Sequence, residues 1–234
     1  MQPVAPAHQI RSFKPRRGRI TPGQQRALDT LAAAYVLPVG NVPLDPVAVY
    51  GRAAPLVLEI GFGMGETTAA MADADRDRDV LAVDVHTPGV GALLAEVSAR
   101  GLSNVRIVSG DAVEVLRHMV APGALDEVRV FFPDPWPKSR HHKRRLVGPA
   151  FAALVAARLR PGGRVHCATD WAPYARQMLA VLSAEPALEV VGGGFAPRPE
   201  WRPVTRFEQQ GIAKGHEVFD VIAVRRSAPA AQPE

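Results

Sequence analysis

The chain predicts an α/β fold: a doubly wound, mostly parallel sheet of seven strands, preceded by a basic arm. Three observations carry that expectation. From residue 55 onward, short apolar runs rich in β-branched residues alternate with segments of helical period, as in a parallel sheet with crossover helices. The first run is closed by Gly61-Phe62-Gly63-Met64-Gly65, a turn whose glycines allow positive φ and let a ligand approach the backbone. Carboxylates then recur at successive strand ends, at Glu59, Asp84 and Asp111, where open sheets of this kind bind their ligands.

Taken in order, residues 1–20 form a proline-bearing arm with Arg11, Lys14, Arg16, Arg17 and Arg19 and no hydrophobic period. Such a segment reads either as a solvated tail or as an arm that orders along a nucleic acid backbone. Residues 21–226 form one domain. Thr21-Pro22 starts a short helix, Thr21 as N-cap and Pro22 in the first turn, with Leu28, Leu31 and Ala32 as its apolar side. Pro38, Gly40, Pro43 and Pro46 mark residues 36–53 as a linking loop. Five strands are expected at 56–60, 80–84, 105–108, 128–132 and 164–168. Helices fall between them: 66–74, from Thr87-Pro88 to about 99, from the Asp111 cap to about 119, and from about 147 to a stop at Pro161-Gly162-Gly163. A helix at 171–182 and two closing strands, 188–191 and 218–224, the latter an antiparallel pair, complete the domain. Residues 227–234 read as a frayed tail.

Composition narrows the function classes. Hydrophobic residues make up 47% of 234, enough for a sizeable core. No run of eighteen apolar residues occurs, and the basic N-terminus lacks the apolar stretch of a secretory signal, so neither a membrane span nor export is expected. The single cysteine, Cys167, excludes a disulfide framework and a cysteine-built zinc site, and reads as a buried strand residue. The expected setting is therefore cytoplasmic. A formal charge of +5 supports a polyanionic partner.

The most informative stretch is 131–145. Pro133, Pro135 and Pro137 forbid a helix or a central strand and push the residue before each toward an extended conformation. Asp134 and Trp136 thus sit on a stiff loop past a strand end. Trp136 either stacks on a base or anchors the loop. A dense cationic run follows: Lys138, Arg140, His141, His142, Lys143, Arg144 and Arg145. It suits an RNA backbone better than a solvated face. The adjacent histidines point different ways, so no metal is expected.

At the glycine turn, a dinucleotide fingerprint wants a third glycine three residues after Gly63, where this chain has Glu66. A carboxylate there repels a pyrophosphate. Glu59 favours a ligand with a cationic amino group, Asp84 can accept from ribose hydroxyls, and Asp111 from an adenine amine, unless it is only a helix cap. Together the three point to S-adenosyl-L-methionine.

Several motifs resemble the bacterial tRNA (guanine-N(7)-)-methyltransferase family: Arg11-Ser12-Phe13, Gly18-Arg19, residues 58–65, residues 85–91, residues 102–105, the 133–145 run, Ala168-Thr169-Asp170-Trp171, and Arg202-Pro203-Val204-Thr205-Arg206-Phe207-Glu208. The resemblance spans residues 11–225. It implies a class I S-adenosyl-L-methionine-dependent methyltransferase of Rossmann-like fold, with cofactor held by Glu59, Gly61, Gly63, Asp84, Asp111 and Asp134. Asp134 would also be catalytic. Substrate would be held by Lys138, Asp170, Thr205, Arg206, Phe207 and Glu208, with RNA along 140–145. The implied reaction is methylation of the variable-loop guanine, position 46 in tRNA numbering, by a monomer or homodimer. The family often has Glu where this chain has Asp84. On chemical grounds, Glu208 can accept paired hydrogen bonds from the ring N–H and exocyclic amine of guanine. Arg225-Arg226 would add phosphate contacts. Two other readings are a methyltransferase acting on a base amine and an RNA-binding module with a vestigial cofactor fold.

Overall fold

The computed structural model describes Ser12, Phe13 and residues 18–227, so the expectations for Arg11, Lys14, Arg16, Arg17 and the tail from residue 228 lie outside the described residues. The same holds for the side chain of Arg206. The first helix, α1 (Pro22–Tyr35), is closed by a capping box. Thr21 Oγ1 accepts from the Gln24 amide, and Gln24 Oε1 accepts from the Thr21 amide.

The expected linking loop is more than a connector. Val36–Leu37 forms a two-residue strand, β1, and Pro46–Tyr50 a short helix, α2. Asp45 caps α2 by accepting from the Val47 amide at 3.0 Å, and the Tyr50 hydroxyl donates to the Val80 carbonyl at 2.9 Å. Among the described residues the sheet therefore has eight strands rather than seven.

The remaining elements alternate: β2 (Leu56–Ile60), α3 (Glu66–Ala74), β3 (Asp79–Asp84), α4 (Thr87–Ala99), β4 (Val105–Ser109), α5 (Ala112–Glu114, running on as a wider turn to Met119), β5 (Leu125–Phe131), α6 (Pro149–Arg158), β6 (Leu159–Thr169), α7 (Ala172–Ala184), β7 (Leu188–Val190), α8 (Arg206–Ala213) and β8 (Phe219–Arg225). Their order in the sheet is β1-β4-β3-β2-β5-β6-β8-β7. The strands from β1 to β6 run parallel, and β8 is antiparallel to both β6 and β7. The order reverses at β2, which lies between β3 and β5, so the switch-point crevice opens at the carboxyl ends of β2 and β5.

Pro161-Gly162-Gly163 does not end a helix. The helix α6 stops at Arg158, and the three residues belong to β6, whose pairing with β5 shifts register there. β8 joins β6 only from Arg164 onward, so Pro161 owes no ladder hydrogen bond on that side.

Alternation in β2 sorts the core. Leu56, Leu58 and Ile60 join a cluster with residues of α6 and α7, while Val57 joins the layer under α1, α3 and α4. Over β5, β6 and β8 that second face carries ionic and aromatic groups instead: Glu127, Arg129, His166 and Asp220 are buried, and Trp201 lies over Arg129 and Arg164.

Candidate active site

Five carboxylates stand across the carboxyl ends of five neighbouring parallel strands. In spatial order they are Asp111 after β4, Asp84 at the end of β3, Glu59 in β2, Asp134 after β5 and Asp170 after β6. All five line one cavity of about 650 Å³. Gly61 (φ 80°) and Gly63 (φ 61°) form its floor. Cβ atoms added at either would project into open space. Gly89 opens α4 beneath that turn, where a Cβ would lie 1.9 Å from the Gly63 carbonyl oxygen; only glycine lets helix and turn approach this closely.

Glu59 is buried, and Thr68 Oγ1 donates to its Oε1 at 2.8 Å. Its Oε2 is buried with no partner. Burial raises its carboxyl pKa, against the pull of Arg129 and the Thr68 hydroxyl. Asp84 is pinned by two backbone amides: Gly63 donates to Oδ2 at 2.9 Å and His86 to Oδ1 at 3.0 Å. The short side chain thus ties the glycine turn to β3, and each oxygen keeps a lone pair for a ligand. Asp111 is the N-cap of α5, accepting from the Val113 amide at 2.9 Å, and lines the cavity at the same time.

The second half of the cavity is built by the proline loop and α8. Phe132 (φ 51°) and Trp136 (φ 44°) are the two non-glycine residues with positive φ among those described. Both precede proline, so the expected extended conformation is wrong at these two positions. Each such residue costs on the order of 1–3 kcal/mol and persists only where its surroundings fix it. The Phe132 amide still donates to the Ala168 carbonyl at 2.8 Å before the chain turns away. Trp136 is buried; its indole N–H donates to the Ser12 carbonyl at 3.2 Å, and Arg144 lies 5.0 Å over its ring. It anchors the loop rather than offering a face to a base.

On α8, Phe207, Gln210 and Gly211 line the cavity at spacings of three and four, and Lys214, the C-cap of that helix, continues the same face. Phe207 is 54% exposed. Asp170 Oδ2 meets His216 Nδ1 at 3.1 Å, joining the end of β6 to the residues after α8.

Three sequence expectations are corrected here. Glu208 does not present its carboxylate to the cavity: it is 3% exposed, and Arg202 donates to both of its oxygens at 2.6 and 3.2 Å. It also completes a capping box with Thr205, which lines the cavity. Arg145 leaves the basic face; it is buried, donating to the Pro135 carbonyl at 2.8 Å and to Gln177 Oε1 at 2.6 Å. Arg225 and Arg226 sit where β8 meets the start of β6, the far edge of the sheet from the cavity, and bond to Leu159, Leu188 and Glu189. By contrast Lys138, Arg140, His142, Lys143 and Arg144 are exposed on a short helical turn beside the site, and half-buried His141 edges Trp136. Cys167 is fully buried, its thiol pushed up to about 12 by burial.

Residues 53–221 match a family described as "Putative methyltransferase". A tRNA (guanine-N(7)-)-methyltransferase of Burkholderia vietnamiensis is 55% identical over 227 residues, covering 96% of this chain and 89% of the relative. One of Ralstonia nicotianae is 57% identical over 226 residues, covering 96% and 90%. The chain belongs to the tRNA (guanine-N(7)-)-methyltransferase family. Among solved structures, the fold is similar to the 16S rRNA methyltransferase KamB (TM-score 0.53, 17% identity, 76% of this chain and 91% of that one). It is also similar to a 16S rRNA (adenine(1408)-N(1))-methyltransferase from Catenulisporales acidiphilia (TM-score 0.51, 18% identity, 84% and 98%).

For a tRNA methyltransferase of this kind, the donor set fits S-adenosyl-L-methionine: a buried carboxylate oxygen without a partner for an ammonium, and two carboxylates with spare acceptor positions for hydroxyls and an amine. Sequence reasoning missed Gln210, Gly211, Lys214 and His216, which also line the cavity. The signal was present. Thr205-Arg206-Phe207-Glu208 has the spacing of a capping box and announces a helix whose periodic face continues through those positions. Among the described residues, no helix is long and apolar enough to cross a membrane.

Proposed function

We propose that this enzyme methylates N7 of the variable-loop guanine, position 46 in tRNA numbering, with Asp134 as the catalytic carboxylate. The observation that carries the reading is the single cavity joining Glu59, Asp84 and Asp111 to Asp134, Asp170 and Phe207. The cofactor, S-adenosyl-L-methionine, supplies a methyl group on a sulfonium, already an activated electrophile. N7 of guanine has a free lone pair and no proton near neutrality, so no general base is required. What the chain must supply is in-line positioning and negative potential where positive charge grows on the purine. In this reading Asp134, which lines the cavity on a loop bracketed by Phe132 and Trp136, serves the second task. Phe207 offers an exposed ring against which the base can stack. Lys138, Asp170, Thr205 and Arg206 complete the substrate side in this reading. Lys138, Arg140, His142, Lys143 and Arg144 take the phosphates in this reading.

The test is methyl transfer from labelled cofactor to unmodified tRNA, with the product mapped by chemical cleavage at methylated guanine. Label at one variable-loop guanine, strongly reduced by Asp134→Ala, is the expected result. Label on an exocyclic amine, or undiminished transfer by Asp134→Ala, would overturn it.

A further inference from the structure

Among the described residues Arg202 is the largest fully buried side chain, and it bonds to residues of both α8 and β8. Its Nη1 donates to Glu208 Oε2 at 2.6 Å and its Nη2 to Glu208 Oε1 at 3.2 Å and Asp220 Oδ2 at 3.0 Å. One cation therefore binds the first turn of α8 and the beginning of β8 together. Its guanidinium also lies over the rings of Phe131 and Phe132, at 5.6 and 5.9 Å, within reach of a cation–π contact. Phe132 is the positive-φ residue from which the Pro133-Asp134 loop departs. Behind this cluster, His166 Nε2 meets Asp220 Oδ1 at 2.6 Å; the carboxylate can only accept, so the imidazole carries its proton there. Burial lowers the His166 pKa and keeps it neutral, outweighing Asp220.

A buried ion pair of this kind contributes little net stability compared with apolar packing, because desolvating the charges offsets their attraction. What it supplies is geometry. Resting on the guanine-methylation reading, we propose that Arg202 is a positioning residue for the reaction, and that Glu208 acts through it rather than on the base. By holding α8 against β8 and the Phe131–Phe132 strand end, Arg202 sets the gap between Asp134 and the Phe207–Gln210–Gly211 face. Neither Arg202 nor Glu208 lines the cavity.

The test compares Arg202→Lys, Glu208→Gln and the double variant. Lysine keeps the charge but is a point donor and cannot hold Glu208 and Asp220 at once. Glutamine keeps the oxygen that caps Thr205 while removing the ionic half of the pair. Binding of the cofactor rests on Glu59, Asp84 and Asp111, and tRNA affinity on exposed cations, so both dissociation constants should stay within about twofold. The turnover number at saturating tRNA should fall about tenfold or more in each single variant, an amount equal to one decade of rate. The double variant should be no worse than the poorer single one, because the residues act as a unit. Effects that multiply would give Glu208 a separate role at the base and overturn the proposal. So would full turnover in either single variant, or turnover lost only in step with cofactor binding, which would mark a purely structural pair. Failure of the guanine reading is separate: the wild-type enzyme would then place no label on N7.

Discussion

Replacing Glu59 by glutamine should move cofactor affinity and protein stability in opposite directions. Glu59 is 4% exposed, its Oε1 is satisfied by Thr68, and its Oε2 has no partner. Burial raises its pKa from the ordinary 4.5. A carboxyl raised in the folded state lends stability that is complete below the ordinary value and drains away as pH climbs through the raised one. The empty protein therefore carries an unfavourable buried charge at alkaline pH. Glutamine keeps the shape and the Thr68 hydrogen bond and removes that charge. The effective cost of burying an ion is several kcal/mol, partly offset here by Arg129, which leaves a gain of about 1–3 kcal/mol at pH 8.5. At roughly 2–4 °C per kcal/mol for a protein of this size, Tm of the empty protein should rise by about 2–12 °C, with a smaller rise at pH 5.5. The cofactor, meanwhile, loses a charge-assisted hydrogen bond to its ammonium group worth about 1.5–3 kcal/mol, so its Kd should weaken roughly 10- to 150-fold. In the wild type, affinity should rise with pH from 4.5 up to the raised value; in Glu59→Gln that rise should flatten. Differential scanning calorimetry of the empty protein and titration calorimetry with cofactor, each at both pH values, read the two effects. Unchanged affinity, or an empty variant destabilised at pH 8.5, would refute the assignment of Glu59 to the cofactor ammonium.

Other outcomes follow from the same geometry. Asp84→Asn replaces one acceptor by a donor facing the Gly63 or His86 amide, and should weaken cofactor binding by about 1.5–3 kcal/mol in titration calorimetry while leaving tRNA affinity unchanged. Lys143→Ala with Arg144→Ala removes two exposed cations, so the slope of log affinity for tRNA against log salt should become shallower by roughly one to two units, measured by filter binding. Cys167, fully buried with its thiol near 12, should resist a thiol reagent at pH 8 in the native protein and react only after denaturation.

Much of the fold was legible because β-branched apolar runs and helix caps are local signals. The boundaries of α3 and α4 and the antiparallel pairing of β7 with β8 fall where pattern and caps place them. The connector 36–53 was not read, although Asp45-Pro46 repeats the Thr21-Pro22 start signal and Gly51 sits in the left-handed conformation that ends α2. Proline marks both a loop and the first turn of a helix, and here Pro46 opens α2. The carboxylates facing the cavity were legible because each follows a strand whose end could be located. The charges that were misplaced, Arg145, Glu208, Arg225 and Arg226, share one cause. A sequence shows that a residue is ionic, but not which group elsewhere in the chain satisfies it: Gln177 for Arg145, Arg202 for Glu208, and the Leu159 and Leu188 carbonyls for Arg225 and Arg226. Arg202 and Asp220, eighteen positions apart, decide that Glu208 faces inward.

The row of carboxylates also bears on how such a site lowers a barrier. Asp111, Asp84, Glu59, Asp134 and Asp170 all border one cavity, while the exposed cations of residues 138–144 stand outside it. In the proposed reaction one positive charge leaves sulfur and appears on the purine, so the net charge inside the cavity does not change. Carboxylates fixed in place by the fold need not reorganise as that charge moves, and water would have had to. The two groups most exposed to strain, Phe132 and Trp136, bracket Asp134, the carboxylate nearest the receiving end of that path in this reading. Backbone strain there is sustained by buried anchors, the Trp136 indole on Ser12 and the Arg202 guanidinium over Phe132. In the proposed reaction the cations of residues 138–144, which do not line the cavity, would meet the polyanion while the carboxylates face the base. A substrate that is anionic along its backbone and becomes cationic at one base is the chemistry this division of charge suits.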